Sequence, residues 1–233
     1  MKLAILYGNA RKGVTWHAAD LLKRELSKNA SLEVTEFTLP RDMPHFCNGC
    51  FSCFMNGEHT CPHAATVQPI AKALLNADVI VLTSSVYAMD ATGQMKAMLD
   101  HLCYLWMSHR PDPRMFNKIG VTVATTAGAG LKHTTKTLRS SLKFWGVKRT
   151  YAYRGALSAM RWDDVPEKKR ANAEKQIAKL ARKIEKAAAH PEKLHAPLFR
   201  SFFMKIMTGM MKKNTWNLRD RKHWEDNGWI GTK

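Results

Sequence analysis

The chain has 233 residues, of which 45% are hydrophobic and 24% charged, the proportions of a globular protein that buries a substantial core. Its apolar runs are shorter than the ~18 residues of a membrane-spanning helix, and the N-terminal segment lacks the pattern of a signal peptide. Five cysteines with tight local spacing favour a reducing compartment over a disulfide scaffold, so we expect a cytoplasmic protein.

The net charge of +18 comes entirely from the second part of the chain. Residues 1–100 contain nine Lys/Arg and nine Asp/Glu, whereas residues 101–233 contain 28 and 10. Much of the excess lies in 167–190, where a solvated helix face accounts for it. Because the sequence lacks helix-turn-helix, RNA-recognition and zinc-finger patterns, we expect nucleic acid to be an unlikely partner.

Strand and helix patterns alternate along the chain. Apolar runs predict strands at 2–7, 32–39, 78–84, 119–126 and 147–153. Helical periodicity predicts helices over Thr15–Lys28, Val67–Asn76, Ala91–Leu105, a segment ending near Trp145, and a long segment after Pro166. The third run, DVIVLTS, is too apolar for a half-exposed strand and is therefore expected to be a central parallel strand.

This alternation predicts an α/β fold with a doubly wound, five-stranded parallel sheet. Right-handed crossovers place helices on both faces of such a sheet and a ligand site at the carboxyl ends of its strands. We expect residues 1–190 to form this domain. Residues 191–233 are expected to form a helical, Trp-rich C-terminal extension that serves as a docking or dimerisation arm.

Within this extension, the segment PLFRSFFMKIMTGMMKKNTW at 197–216 carries pairs of apolar residues every four positions. This spacing predicts an amphipathic helix with a wide apolar stripe. We favour a helix that covers its own core or docks a second subunit, giving a homodimer or higher homo-oligomer, over one that binds an anionic membrane.

The first loop, GNARKG at 8–13, joins the first predicted strand directly to a helix. Gly8 and Gly13 permit tight turns, and free N–H groups at a helix start attract an anion. Arg11, Lys12 and Thr15 add positive charge and a hydroxyl group. By itself the loop is weak evidence for a ligand, because an ordinary strand-to-helix turn can have the same pattern. It matches neither the Walker nor the dinucleotide pattern, so a monophosphate fits it better than those ligands.

Four of the five cysteines form a C-x2-C-x2-C-x7-C array at Cys47, Cys50, Cys53 and Cys61. Such an array can bind a [4Fe–4S] cluster, or zinc through the four thiolates or with His59 or His63, or it can be a metal-free loop. Cys103 lies on a predicted helix face with leucines and is expected to be in the core.

The segment TSSVYAMDATGQMKAMLDH at 83–101 resembles the G-S-P-V-Y…Q-L-K-A-F-I-D-R stretch of the flavodoxin-like NAD(P)H-dependent FMN reductases. GNARKG similarly resembles the G-S-P-R-K-G phosphate loop of this family. ATTAGAG at 124–130 resembles its small-residue loop beside the flavin ring. Asn9 and Ser85 depart from the usual Ser and Pro, and GVTW replaces a Gly-Gly-Asn-Thr ending. The resemblance covers about residues 1–155.

This resemblance implies FMN bound among three loops, with Tyr87 as a gate or stacking partner. The residues implied for cofactor binding are Gly8, Asn9, Arg11, Lys12, Gly13, Thr15, Ser84, Ser85, Val86, Tyr87, Thr125, Thr126, Gly128 and Gly130. The related iron–sulfur flavoproteins carry a four-cysteine loop at the position of Cys47–Cys61. The seven-residue gap before Cys61 is longer than the gap typical of that group.

We therefore expect an NAD(P)H-dependent FMN oxidoreductase that passes electrons to a quinone, a flavin or a similar small acceptor. Because FMN carries the hydride chemistry, no catalytic acid–base pair is expected. The alternatives are an iron–sulfur flavoprotein that carries electrons, and a non-catalytic module that responds to redox state or metal.

Overall fold

The computed structural model describes residues 1–231 and contains one five-stranded, all-parallel sheet. Its strands lie in the order β2-β1-β3-β4-β5, which confirms the predicted doubly wound fold. The strands are β1 (Lys2–Tyr7), β2 (Glu33–Thr38), β3 (Val79–Ser85), β4 (Ile119–Thr126) and β5 (Arg149–Ala156). The fifth strand therefore begins and ends later in the chain than its apolar run predicts.

Helices connect the strands and continue beyond them. They are α1 (Val14–Ser27), α2 (Leu39–Asp42), α3 (Ser52–Met55), α4 (Ala64–Asn76), α5 (Gly93–His101), α6 (Leu131–Phe144), α7 (Glu167–Ala189), α8 (Leu198–Lys212) and α9 (Leu218–Asp226). The predicted helix over Ala91–Leu105 is shorter in the structure. It begins after the N-cap Thr92, whose hydroxyl accepts a hydrogen bond from Met95 N, and ends before a separate 3₁₀ turn at Cys103–Leu105.

The sheet separates two apolar cores because successive side chains of a strand point to opposite faces. Leu3 and Ile5 of β1 contribute to the core beneath α1 and α7, while Ala4 and Leu6 contribute to the core beneath α4, α5 and α6. β3 lies in the centre and is buried on both faces, as its apolar run predicts. β2 lies at the edge, where its exposed glutamates discourage further strand pairing.

The C-terminal extension has a small core of its own, formed by Met207, Met211, Trp224 and Ile230. Only part of the α8 stripe is used in packing. The rings of Phe199 and Phe203 each lie 5.3 Å from that of Phe144. The neighbouring row is exposed and consists of Leu198, Phe202, Ile206 and Met210. Among the helices of residues 1–231, none is both long enough and apolar enough to cross a membrane.

Candidate active site and cysteine pocket

The predicted flavin-binding residues lie at the carboxyl edge of the sheet, on the loops that follow β1, β3 and β4. The Thr15 hydroxyl, in the first turn of α1, joins these loops. Its Oγ1 lies 2.8 Å from Ser85 Oγ and 2.6 Å from Thr125 Oγ1. Thr15 and Thr125 are both buried. A chain of hydroxyl groups therefore fixes the three loops to one another.

The loop after β1 depends on a glycine at position 8. Gly8 N donates to Thr83 O at 3.0 Å, and Thr92 Oγ1 donates to Gly8 O at 2.8 Å. A Cβ at this position would lie 2.7 Å from Thr83 O, which is too close for any other residue. The next residue, Asn9, accepts a hydrogen bond from Ser85 N at 3.1 Å through Oδ1. Two departures from the family pattern, Asn9 and Ser85, thus bond to each other.

The start of α1 has the groups that an anion site needs. Its N-cap, Gly13, has no side chain with which to satisfy the free N–H groups of the first turn. Arg11 and Lys12 are exposed beside them, and Arg11 Nη1 donates to Met160 O at 3.1 Å. Free N–H groups, the helix dipole and two cations favour a phosphate at this position.

The loop after β3 is anchored by Ser84 and Val86. Ser84 is buried, and its Oγ accepts from Thr92 N at 2.9 Å and donates to Ser85 O at 2.8 Å. Val86 N donates to Thr125 O at 3.0 Å, which extends the strand pairing of β3 with β4 by one bond. These contacts hold the loop backbone in place beside the start of α1.

Tyr87 begins a tight turn at the outer end of this loop. Tyr87 and Asp90 exchange two backbone hydrogen bonds of 2.9 Å each, and Ala88 and Met89 between them have positive φ angles of 46° and 67°. Left-handed backbone at two non-glycine residues costs energy, and such strain is concentrated at binding and switch sites. The Tyr87 side chain is exposed, as a gate requires, and its role stays a prediction.

The loop after β4 reaches back to the loop after β3. Gly130 has φ +90°, and a Cβ there would lie 2.5 Å from Val86 Cγ1. Thr126 Oγ1 donates to Ala129 O at 2.9 Å and accepts from Gly128 N at 3.2 Å. This loop therefore needs small residues for close approach, which agrees with the function that the resemblance implies.

Residues 157–166, which follow β5, form a further wall that motif reasoning missed. Met160 O accepts the hydrogen bond from Arg11, and Ser158 Oγ donates to Ala127 O at 3.0 Å. Lys169 Nζ donates to Ser158 Oγ at 2.9 Å. The one signal in the sequence was the position of this segment, at the carboxyl end of a fifth parallel strand.

The donor groups at this edge fit FMN. An open helix N-terminus with Arg11 and Lys12 suits the phosphate monoester, and the small-residue loops after β3 and β4 allow the backbone to approach a flat ring. The Thr15 hydroxyl contacts Ser85 and Thr125, so its expected bond to the phosphate stays a prediction.

The four clustered cysteines line one cavity of about 220 Å³. Cys103, after the end of α5, lines the same cavity and is partly buried, so it is not simply a core residue as we expected. Cys47 and Cys50 are exposed, while Cys53 and Cys61 are partly buried. A cavity lined by five thiols is suited to soft metal ions or an iron–sulfur cluster.

The backbone of this loop is left-handed at the two residues that flank Cys50. Gly49 and Phe51 have left-handed φ angles of 63° and 59°. Glycine adopts this conformation freely, but for Phe51 it costs about 1–2 kcal/mol. The exposed Phe51 ring recovers little of this energy by burial, so the contacts that hold the following helix α3 must maintain the turn.

Burial keeps the inner thiols protonated. It raises the pKa of Cys103 to about 12, and it also raises the pKa of Cys53, where the Arg110 guanidinium opposes the shift. Because the thiolate and not the thiol binds a metal, a cation in the cavity must displace these protons. An unmetallated pocket at neutral pH therefore holds thiols of low reactivity at its inner wall.

Two histidines lie beside Cys61. Donor atoms of Cys61, His63 and His101 lie within 4.8 Å of one another. His63 Nδ1 is 3.0 Å from His101 Nε2, and His101 Nδ1 is 2.8 Å from Ala97 O. The ring of His45 stacks on that of His63, with centroids 4.4 Å apart. Burial and the two neighbouring imidazoles lower the pKa of His63, which favours its neutral form.

This arrangement changes the expected zinc site. Among residues 1–231, the donors that converge to the distance a single ion needs are Cys61, His63 and His101, and not the four cysteines. His59 is exposed and does not belong to this group. The [4Fe–4S] cluster on Cys47, Cys50, Cys53 and Cys61 stays a prediction, since those thiols line one cavity.

The C-terminal extension holds the cysteine loop from outside. Arg110 forms a buried ion pair of 2.5 Å with Asp220 of α9, and its guanidinium donates to Phe54 O at 3.2 Å and to Cys53 O. Asn217 Nδ2 donates to Phe54 O at 3.3 Å. Helix α3 is therefore fixed by residues far away in the sequence. Sequence patterns did not predict this contact.

Curated proteins with a similar sequence include two archaeal iron–sulfur flavoproteins. The chain is 29% identical over 142 residues to one from Archaeoglobus fulgidus, covering 60% of this chain and 59% of that protein. It is 27% identical over 124 residues to one from Methanocaldococcus jannaschii, covering 53% of this chain and 61% of that protein. The chain thus spans about three fifths of the length of these relatives.

Solved structures share the fold. An oxidoreductase from Corynebacterium diphtheriae superimposes with a TM-score of 0.60 at 18% identity, covering 81% of this chain and 97% of that one. At the level of sequence, residues 1–159 match the family described as NADPH-dependent FMN reductase. That match spans more than half of the chain and includes the loops after β1, β3 and β4. The chain belongs to the NADPH-dependent FMN reductase family.

Proposed function

We propose that this chain is an FMN-dependent oxidoreductase that takes hydride from NAD(P)H and delivers electrons to a small acceptor such as a quinone or a flavin. One observation carries the proposal: the Thr15 hydroxyl joins three loops beside an open helix N-terminus, in a chain that belongs to the FMN reductase family. Family membership favours this reading over the non-catalytic module.

The residues of the three loops would bind and orient the cofactor. The first turn of α1, with Arg11 and Lys12, binds the phosphate, and the loops at 84–87 and 125–130 position the ring. Bound FMN supplies hydride acceptance and electron delivery, so the protein's task is placement and exclusion of water. We expect the exposed Tyr87 to cover the ring or to open for the nicotinamide.

Three further expectations belong to this proposal. A homodimer would cover the exposed apolar row on α8 formed by Leu198, Phe202, Ile206 and Met210. A cytoplasmic location is expected, because five cysteines with tight local spacing suit a reducing compartment. Assignment of 1–190 as the flavin domain and 191–233 as a docking arm remains a proposal, and residues 232 and 233 lie outside the described residues.

The test is an absorbance spectrum of the purified full chain, followed by chromatographic identification of the released flavin. We expect bound FMN, together with NADH or NADPH oxidation that depends on an added quinone. A colourless chain that does not bind FMN would overturn the proposal. A chain that binds FMN but oxidises neither nucleotide with any acceptor would instead favour an electron carrier.

A further inference from the structure

The cysteine pocket contains a donor group that the flavin chemistry does not use. Cys61 and His63 lie at the start of α4, and His101 lies at the end of α5, yet their donor atoms come within 4.8 Å of one another. One thiol and two imidazoles form a ligand set that Zn²⁺ favours. The fold brings residues 61–63 close to the end of α5, although the two segments are far apart in the sequence.

The tautomer of His101 leaves Nε2 available as a ligand atom. A carbonyl oxygen only accepts hydrogen bonds, so His101 Nδ1 carries the proton and donates to Ala97 O at 2.8 Å. Its Nε2 lone pair then points toward His63 Nδ1, 3.0 Å away. Metal-binding histidines characteristically donate their second N–H to a backbone carbonyl, which sets the tautomer and the ring orientation.

The distance between the two rings also suits a shared ion. Two nitrogens each about 2.0–2.1 Å from a tetrahedral zinc ion lie roughly 3.3 Å apart. The observed separation of 3.0 Å is close to this value. Binding an ion also requires the rings to rotate, so that the two nitrogens point at the ion and not at each other. The competing explanation is a simple hydrogen bond from His63 Nδ1–H to His101 Nε2, which needs no metal.

We propose that Cys61, His63 and His101 bind a single divalent cation of the Zn²⁺ class. The fourth coordination position opens into the cavity lined by Cys53 and Cys103. Binding releases the Cys61 thiol proton to solvent and moves the His63 proton from Nδ1 to Nε2. The ion ties the cysteine loop to α5. This site and a [4Fe–4S] cluster that uses Cys61 as its fourth thiolate exclude each other, so metal analysis decides between them.

The experiment uses Co²⁺ as the probe on the full chain, purified anaerobically and stripped of metal with a chelator. Spectra are recorded as differences against the same sample after Zn²⁺ displacement, which cancels the flavin absorbance. We expect one cobalt ion per chain, with visible d–d bands of a tetrahedral site and a thiolate charge-transfer band. Zn²⁺ should displace the cobalt completely.

Matched variants identify the ligands. Cys61→Ser and His63→Asn should weaken Co²⁺ binding by more than about 100-fold, because each removes a direct ligand. Cys50→Ser and His59→Asn lie on the same loop but outside the group. They should change the Co²⁺ affinity by no more than about twofold, because substitutions of exposed residues are usually nearly neutral. His63→Cys should bind cobalt with a stronger charge-transfer band, which tests the site by a gain of signal.

Three results would overturn the proposal. The first is iron and sulfide at about four atoms each per chain, the content of a [4Fe–4S] cluster. The second is loss of cobalt binding in Cys50→Ser equal to that in Cys61→Ser. The third is no cobalt binding by the folded, reduced chain. Each readout is independent of FMN and NAD(P)H, so failure here is distinguishable from failure of the proposed oxidoreductase function.

Discussion

Two regions of the molecule are built by different means. One is the carboxyl edge of the sheet, where the loops after β1, β3 and β4 are predicted to bind flavin, and it is named the flavin edge. The other is the cysteine pocket. At the flavin edge, the loops after three adjacent parallel strands meet because the sheet places them side by side, and hydroxyl and backbone groups join them. At the cysteine pocket, a buried ion pair between Arg110 and Asp220 joins segments that no strand pairing brings together. The first region follows from topology. The second depends on specific side chains.

The largest effect should come from breaking the ion pair of the pocket. Asp220→Asn removes the buried counter-ion of Arg110 and leaves only the longer, part-exposed contact with Glu58 Oε2 at 3.5 Å. The side chains of Asp220 and Arg110 are 1% and 7% exposed in the native protein. We expect the free energy of unfolding to fall by about 3–5 kcal/mol. Urea denaturation followed by circular dichroism measures this change.

Asp226→Asn provides the matched control on the same helix. Asp226 pairs with Lys222 at 2.8 Å, and both side chains are largely exposed. Because water screens an exposed pair, this change should leave stability nearly unaltered. Equal losses in the two variants would show that α9 contributes through its helix as a whole and not through the Arg110 contact.

At the flavin edge, the next largest effect should come from a steric clash with the backbone and not from the loss of a charge. Gly8→Ala would place a Cβ 2.7 Å from Thr83 O and 2.8 Å from Thr92 Oγ1. Since backbone atoms of β3 cannot move freely, we expect the flavin-free protein to lose about 1–3 kcal/mol of stability. Gly128→Ala, whose Cβ would meet no atom within 4 Å, should be nearly neutral in the same measurement. Similar losses in both would refute the close approach.

The sequence predicted that the loops after β1, β3 and β4 meet, and the reason is physical. Gly8 and Gly130 lie on loops that follow strand ends, and Ser84 lies near the end of β3 before such a loop. Parallel pairing brings those strand ends together whatever the helices do. The wall at 157–166 was missed because Arg11 donates to a backbone carbonyl there. Any residue type has such a carbonyl, so the sequence does not reveal the contact.

The pocket was predicted only in part. The spacing of Cys47, Cys50 and Cys53 marked a site, but the partners of Cys61 lie elsewhere. His101 belongs to a helix whose apolar pattern predicts only a buried face. Its orientation depends on a hydrogen bond to the Ala97 carbonyl one turn earlier. Cys103 was assigned to the core for the same reason. A helix pattern shows which face is buried, but not what that face meets.

A third test compares how strongly the flavin edge binds FMN and riboflavin, which differ in the phosphate and share the ring. Arg11→Gln removes a cation beside the N-terminus of α1, so FMN affinity should fall about tenfold, the loss expected for one charge-assisted hydrogen bond. Riboflavin lacks the phosphate and should bind the variant as it binds the native chain. Flavin fluorescence quenching measures both. Arg24→Gln, at the far end of α1, is the control, and equal weakening of both flavins would contradict the assigned site.

The smallest effect concerns the pH dependence of the pocket. Burial raises the pKa of Cys103 to about 12, whereas the unfolded chain titrates near 8.5, the ordinary value for a thiol. Between these values the native state keeps a proton that the unfolded state has lost. Cys103 therefore stabilises the fold fully below about pH 8.5, and this contribution is lost as the pH rises toward 12.

Cys103→Ala should flatten the decline in unfolding free energy above about pH 8.5 relative to the native chain, because the unfolded state then has one fewer thiol to ionise. Tyr153, whose pKa burial also raises to about 12, keeps its share of the decline in both proteins.

Alkylation at pH 8 gives a second measure. The exposed Cys47 and Cys50 should react well before Cys103, and equal rates would mean that the inner wall of the pocket is open to water.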